Sequence, residues 1–308
     1  MLFNKNNNGS EELRYLTGNY YASNDFEKVK MDLEIAANEL ARIIGVELIE
    51  KAEELYESKE DDPLIDILRT PIAFLATLNM YRKNDISHED SGRKIKIDAN
   101  AEKIPWEWQI ENDNKLHMEE YYRSVDRLID YLERAKDEIW MNSGQRKLSQ
   151  SLFIRNAGEF DQLFPISGSS RMYMLLTPFI REAERRYIKP ALGTEEYSRL
   201  KQIDQLTEKD RELLEYVKAP IPLLTMSIAI RRMPLSVIPF GVIQNCISES
   251  QTMNSAEAPS INMIKEVSEW LFDDAMRLIE DMKVEKNGRT ERQLFSNNND
   301  HNKYMSIY

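Results

Sequence analysis

The chain has 308 residues, with 41 Lys+Arg against 53 Asp+Glu, a net charge of −12, and 42% apolar residues. This composition can bury a core and excludes disordered or collagen-like classes; the length suits one large domain or two of about 150 residues. The acidic balance argues against wrapping duplex DNA, whose affinity comes from cations meeting phosphates, and no run reaches the ~18 apolar residues of a membrane helix.

Residues 1–25 read as a polar arm, and the opening MLFNKNNNGSEE has no apolar stretch of the secretory type. Phe26, Val29, Leu33, Ala36, Leu40, Ile43 and Ile44 recur at helical spacing. Gly45 interrupts, and Val46 to Leu55 continue as a second, acidic helix. Residues 64–82 are apolar on nearly every side, which marks a helix buried in a bundle, and Pro71 inside it predicts a kink or a division. Residues 93–116 read as an extended insert, with period-two alternation at Ile95–Asp98 and Ile104–Gln109. A last helix is predicted from about His117 to Trp140, followed by a joining segment at 141–151. Beyond it, helices are predicted near 172–189, 194–204, 207–232 and 262–284, the third started by Thr207, with a loop at 241–260.

These elements form two series in one order. Leu2-Phe3 meets Leu152-Phe153, Gly18 meets Gly168, and Gly45 meets Gly193. The block 64–92 aligns with 213–241 with seven identities, among them Pro71/Pro220 and Gly92/Gly241. Composition alone would give roughly two, and Pro and Gly carry backbone meaning that helical periodicity does not supply. The predicted fold is mostly α: two similar small helical bundles in a tandem repeat of about 150 residues, with short extended arms and a polar C-terminal tail. Repeat 1 takes 1–145, repeat 2 takes 151–288 and the tail takes 289–308, with Gly45, Pro71, Gly92, Gly193, Pro220 and Gly241 as the repeat-defining positions.

No catalytic or metal motif appears, and no cofactor is expected. The histidines lack the Glu-x-x-His spacing of a di-iron bundle, no phosphate loop or dinucleotide fingerprint is present, and HMEE at 117–120 reads as a solvated helix start. SGSS at 167–170 reads as a turn, and Cys246, the single cysteine, has no histidine near it in sequence. The acidic run 47–62 is either a solvated helix face or, through Glu47, Glu50, Glu53, Glu54 and Glu57, a wall that repels DNA or steers a basic partner. Trp106 and Trp108 either dock a partner or cover their own core. The tail carries Phe295, Tyr304, Met305, Ile307 and Tyr308, and is either a docking segment or a frayed terminus.

The segments ELARIIGVELIEKA (39–52), EAERRYIKPALGTEEYSRL (182–200), PIAFLATLNMYR (71–82) and PIPLLTMSIAIRR (220–232) carry a resemblance. Their order, with a Gly and a Pro shared between the copies, resembles the helical head–tail connector (adaptor) proteins of tailed phages, here in tandem. The resemblance implies a non-catalytic virion protein, made in the host bacterial cytoplasm and located in the neck below the portal vertex. It implies a homo-oligomeric ring, of twelve chains to match a portal or six chains with two repeats each. Its partners would be the portal and the tail or neck proteins, with DNA passing through without specific binding and no membrane involved. A second reading from the residues is a cytoplasmic helical scaffold or regulatory module without catalysis; an enzyme with an unrecognised site is a third.

Overall fold

The computed structural model describes residues 1–18, 25–58, 61–85, 87–89, 92–94, 106–233, 235–238, 241–244 and 260–287. The chain forms two compact units: the first includes Met1–Gln150 and Ile166–Leu175, the second Ser151–Pro165 and the described residues from Leu176 onward.

In the first unit, the polar-arm expectation is corrected. Leu2 and Phe3 are buried, and α1 (Gly9–Thr17) adds Leu13 to the same core. Glu12 ties this segment down by accepting the Asn4 N–H at 2.8 Å and the Tyr56 hydroxyl at 2.7 Å. Arg69 pairs with Glu12 at 3.0 Å and lies over the rings of Phe3 and Tyr56. Two apolar side chains next to each other are too short a pattern to register as an element, yet large enough to seal a bundle end.

Helix α2 (Phe26–Ile44) starts on Asp25, whose carboxylate accepts the Glu27 N–H at 3.1 Å, as an N-cap does. Its buried stripe is Val29, Leu33, Ala36, Leu40 and Ile44. Gly45, at φ 97° and ψ 151°, turns the chain into α3 (Val46–Ser58), which buries Leu48, Ile49 and Ala52. Helix α4 (Pro63–Asn84) is the central element, packed against α1, α2 and α3. Strands β1 (Ser87–Glu89) and β2 (Gly92–Lys94) then pair antiparallel, with Glu89 opposite Gly92.

Helix α5 (Glu107–Ala135) packs along α4 through Tyr121, Val125, Leu128, Ile129 and Leu132. It starts at Glu107, so residues 107–116 are helical, which corrects the extended reading of 93–116 over those residues. His117 is buried, not solvated: its Nδ1 lies 2.9 Å from the Asp113 carbonyl, and Phe74 and Tyr81 meet its ring edge-on. Helix α5 stops at Lys136, which adopts φ 51°; Asp137 then caps α6 (Glu138–Asn142), and α7 (Gly144–Gln150) follows. The segment expected to be a linker is therefore largely helical, and Trp140 belongs to α6.

The second unit repeats the plan. Leu152 and Phe153 are buried as Leu2 and Phe3 are, and α8 (Ala157–Leu163) follows them. Helix α9 (Ser170–Ala183), which belongs to the second unit from Leu176 onward, runs through a π-helical turn (Glu184–Ile188) into α10 (Lys189–Leu192). Gly193, at φ 82° and ψ 159°, matches the backbone of Gly45 and leads into α11 (Thr194–Leu200). A 3-10 turn (Ile203–Gln205) precedes α12 (Glu208–Lys218), whose start is the expected Thr207, exchanging bonds with Asp210. Helix α13 (Pro220–Arg232) pairs with α14 (Ile261–Lys286) as α4 does with α5.

Proline acts in both of the ways its chemistry allows: Pro71 lies inside an unbroken α4, whereas Pro220 opens α13 just after α12 ends. Strands β3 (Leu235–Ile238) and β4 (Gly241–Gln244) pair antiparallel, so residues 241–244 are a hairpin strand and not the expected loop. Gly92 and Gly241 each open the second strand of a hairpin. By length and composition, Glu208–Arg232 is long and apolar enough to cross a membrane, contrary to the expectation that no segment is. Leu213, Leu214, Val217, Ile221, Leu224 and Ile228 along it are buried within the unit, the pattern of a core helix.

The shared glycine backbone lies in a region essentially closed to L side chains. Gly193→Ala is expected to cost about 1–3 kcal/mol through backbone strain alone, because a Cβ there clashes with nothing and meets only Lys286 Nζ at 4.0 Å. Urea unfolding followed by Trp270 fluorescence checks this, because Trp270 is the one tryptophan of the second unit.

Candidate functional site

The two units differ where α9 passes into α10. The buried stripe Val29, Leu33, Ala36, Leu40, Ile44 of α2 corresponds to Leu176, Ile180, Ala183, Ile188, Leu192. Ala36 and Leu40 are four residues apart, whereas Ala183 and Ile188 are five. The second unit thus carries one extra residue, accommodated as the π-turn, in which the Lys189 N–H donates to the Glu184 carbonyl. Such turns are rare and favour functional positions.

The extra residue turns Glu184 into the interior, at 1% exposure. Its carboxylate accepts the Phe153 N–H at 2.6 Å, the Tyr197 hydroxyl at 2.9 Å and Lys201 Nζ at 2.7 Å. Lys201 also sits 3.8 Å from the centre of the Phe153 ring. Burial pushes the Lys201 ammonium down to about 8, opposed by the Glu184 charge, and burial pushes the Tyr197 phenol up. All three donors come from the chain itself, so the cluster pins residue 153 and α11 to the π-turn.

Outside this buried cluster lies an arginine surface. Arg181 and Arg185 share a face of α9 and the π-turn with Pro178 and Glu182. Beside it opens a concavity of about 700 Å³ lined by Arg186, Tyr187, Arg231, Arg232, Phe272 and Asp273. Tyr187 and Phe272 meet edge to face at 5.5 Å. Glu182 accepts two bonds from Arg232, at 2.6 and 3.1 Å, and one from Arg186 at 2.8 Å. Arg231 donates to the Ser227 carbonyl at 3.0 Å. Arg181 and Arg185 are exposed, with no carboxylate partner among the described residues.

Arg232 first, then Arg186, holds the Glu182 carboxyl down to about 2. A depressed carboxylate contributes stability above its unfolded pKa and loses it as pH falls through the folded value. Glu182→Gln is therefore expected to cost on the order of 1 kcal/mol at pH 7, the range of a partly exposed pair. That gap should close between about pH 4.5 and pH 2, as read by urea midpoints of both proteins across that range.

The residues singled out in the sequence are dispersed. Glu47, Glu50, Glu54 and Glu57 are exposed along one stripe of α3, while Glu53 is only half-exposed and lies off it. Trp106 caps α5, its N–H donating to Gln109 Oε1 at 3.0 Å. Trp108 lies in the first turn, so the two do not alternate on a strand; they are 70% and 45% exposed. In the second unit Ile261, Met263 and Trp270 are likewise exposed on the N-terminal half of α14. Phe295, Tyr304, Met305, Ile307, Tyr308 and Cys246 lie outside the described residues. Among the described residues, no group of three or more His, Cys, Asp or Glu could hold a metal ion. The arginine surface escapes motif reading, although its signal, R-x-x-x-R-R at 181–186 with Arg231-Arg232, stands in the sequence.

A family described as a family of unknown function (DUF6712) matches residues 37–150 and again 188–304. The chain belongs to this family. Because one family pattern fits twice, more than half of the chain is covered and the tandem repeat of two similar helical domains is established. No curated protein and no solved structure matches the chain.

Proposed function

We propose that this DUF6712 chain is a non-catalytic assembly protein, acting as a head–tail connector in a phage neck. One observation carries the reading. The copies keep equivalent buried positions, such as Leu40/Ile188 and Ile44/Leu192, while their outer faces diverge in charge. Duplication that preserves a core and varies the surface fits a protein used through its faces.

The chain's net charge of −12 fits a channel along which DNA slides without adhering. Exposed aromatic and aliphatic side chains at the start of α5 and α14 fit contacts with portal and tail proteins. A ring needs two different faces that meet head to tail, and two diverged units supply them. The test is protein mass spectrometry of purified particles. The reading expects the chain at a copy number fitting a ring of six or twelve. Its absence from intact particles, with free monomer in the cytoplasm, would favour the scaffold reading instead.

A further inference from the structure

We infer that the arginine surface of the second unit is the binding face for helix α3 of a second copy of this chain. The inference rests on the assembly reading above and names the faces that meet. The charges of the two units have moved in opposite directions at equivalent positions. Around the glycine turns, Glu47, Glu50, Glu54 and Glu57 correspond to Glu195, Ser198, Gln202 and Gln205, so only one of the four acids is retained in the second unit. In return, Arg181, Arg185 and Arg186 stand where the first unit has Glu34, Ala37 and Asn38. The acid stripe is thus particular to one unit and these three arginines to the other.

The dimensions agree. Glu47 to Glu57 spans about 15 Å of helix, and Arg181 to the exposed Lys189 about 12 Å, with neighbouring charges about 5–6 Å apart in both. The carboxylates of Glu47, Glu50, Glu54 and Glu57 form no ion pair among the described residues, Lys5 donating to the backbone carbonyl of Glu57, and neither Arg181 nor Arg185 has a carboxylate partner there. Nucleic acid fits the surface less well. Glu182, Glu269 and Asp273 are interleaved with the arginines, and Glu182 already occupies Arg186 and Arg232. A phosphodiester backbone would meet fixed negative charge between its contacts. Discrete carboxylates on a helix can be set against Arg181, Arg185 and Arg231 singly. Because each copy then offers one face of each kind, the contact is head to tail.

The experiment measures the full chain by native mass spectrometry and sedimentation over a wide concentration range. The variants are R181E/R185E and E50K/E54K, all at exposed positions, with circular dichroism verifying the fold. Each variant alone should associate at least ~10-fold more weakly than the parent, as like charges are brought together. An equimolar mixture of the two should restore association, because each reversed face then finds its complement. Unchanged association in either variant, no restoration on mixing, or a parent that stays monomeric at every concentration would overturn the inference. So would loss of binding to a 30-base-pair duplex by R181E/R185E with self-association intact, which would assign the surface to nucleic acid. A chain present in the particle but assembled through other faces would sink this inference and leave the connector reading standing.

Discussion

Glu184→Ala is expected to destabilise the second unit by about 3–5 kcal/mol, the range for breaking a buried pair and leaving its partner charged. The substitution strands the Lys201 ammonium over the Phe153 ring and removes the acceptor of the Phe153 N–H and the Tyr197 hydroxyl. The first unit lacks the buried carboxylate, and at the place of Lys201 it has the half-exposed Glu53, paired with the N-terminal amine at 3.1 Å. Its buried stripe passes from Ala36 to Leu40 without the extra residue, and Ile49 stands where Tyr197 does. Glu184→Ala combined with Lys201→Leu should therefore lose less than Glu184→Ala alone, because no buried cation is left over. Urea unfolding read at Trp270 measures both proteins. An equal loss in the two would show that the charge of Lys201 is not what makes the single substitution costly.

Trp140→Ala is expected to cost the first unit about 3–5 kcal/mol, as large core truncations do. Trp140 is fully buried, and its indole N–H donates to Glu133 at 2.8 Å. It also anchors the chain reversal after α5. Asp137 accepts the Ile139 and Trp140 N–H groups at 3.0 and 3.1 Å and pairs with Lys51 of α3 at 2.5 Å. Trp140→Phe keeps most of the apolar area and forfeits the bond to Glu133, so about 1 kcal/mol is expected. Guanidinium unfolding monitored by far-ultraviolet circular dichroism resolves the two. The first-unit transition should move while the Trp270-reported transition of the second unit holds its midpoint.

The contrast between these sites bears on what can be read from a sequence. The repeat is legible because its markers are backbone constraints: Gly45 and Gly193 adopt one rare conformation, and Gly92 and Gly241 open equivalent strands. The capping start at Thr207 is legible for the same reason, as a local bond between near neighbours. The segment around Trp106 and Trp108 misleads because the alternation of Ile104 to Gln109 mimics a strand, while the first helical turn has no apolar periodicity of its own. Residues 1–18 mislead because their contribution is tertiary: Leu2, Phe3 and Leu13 are too few to form a stripe.

The arginine surface needs three dimensions. Arg181–Arg186 and Arg231–Arg232 are some 45 residues apart in sequence and meet only when α13 packs near the π-turn, where Arg232 reaches Glu182. The π-turn itself is a one-residue slip in an otherwise regular alignment. It becomes visible only when the buried positions of both units are set side by side.

The proposed assembly role requires that the duplicated helical units meet their partners through their outer faces. Electron cryo-microscopy of the neck of a particle encoding this chain tests that directly. The expected result is a closed ring next to the portal into which both units fit, each with the same path of helices about its glycine turn. A neck whose density is fully explained by other chains would contradict it.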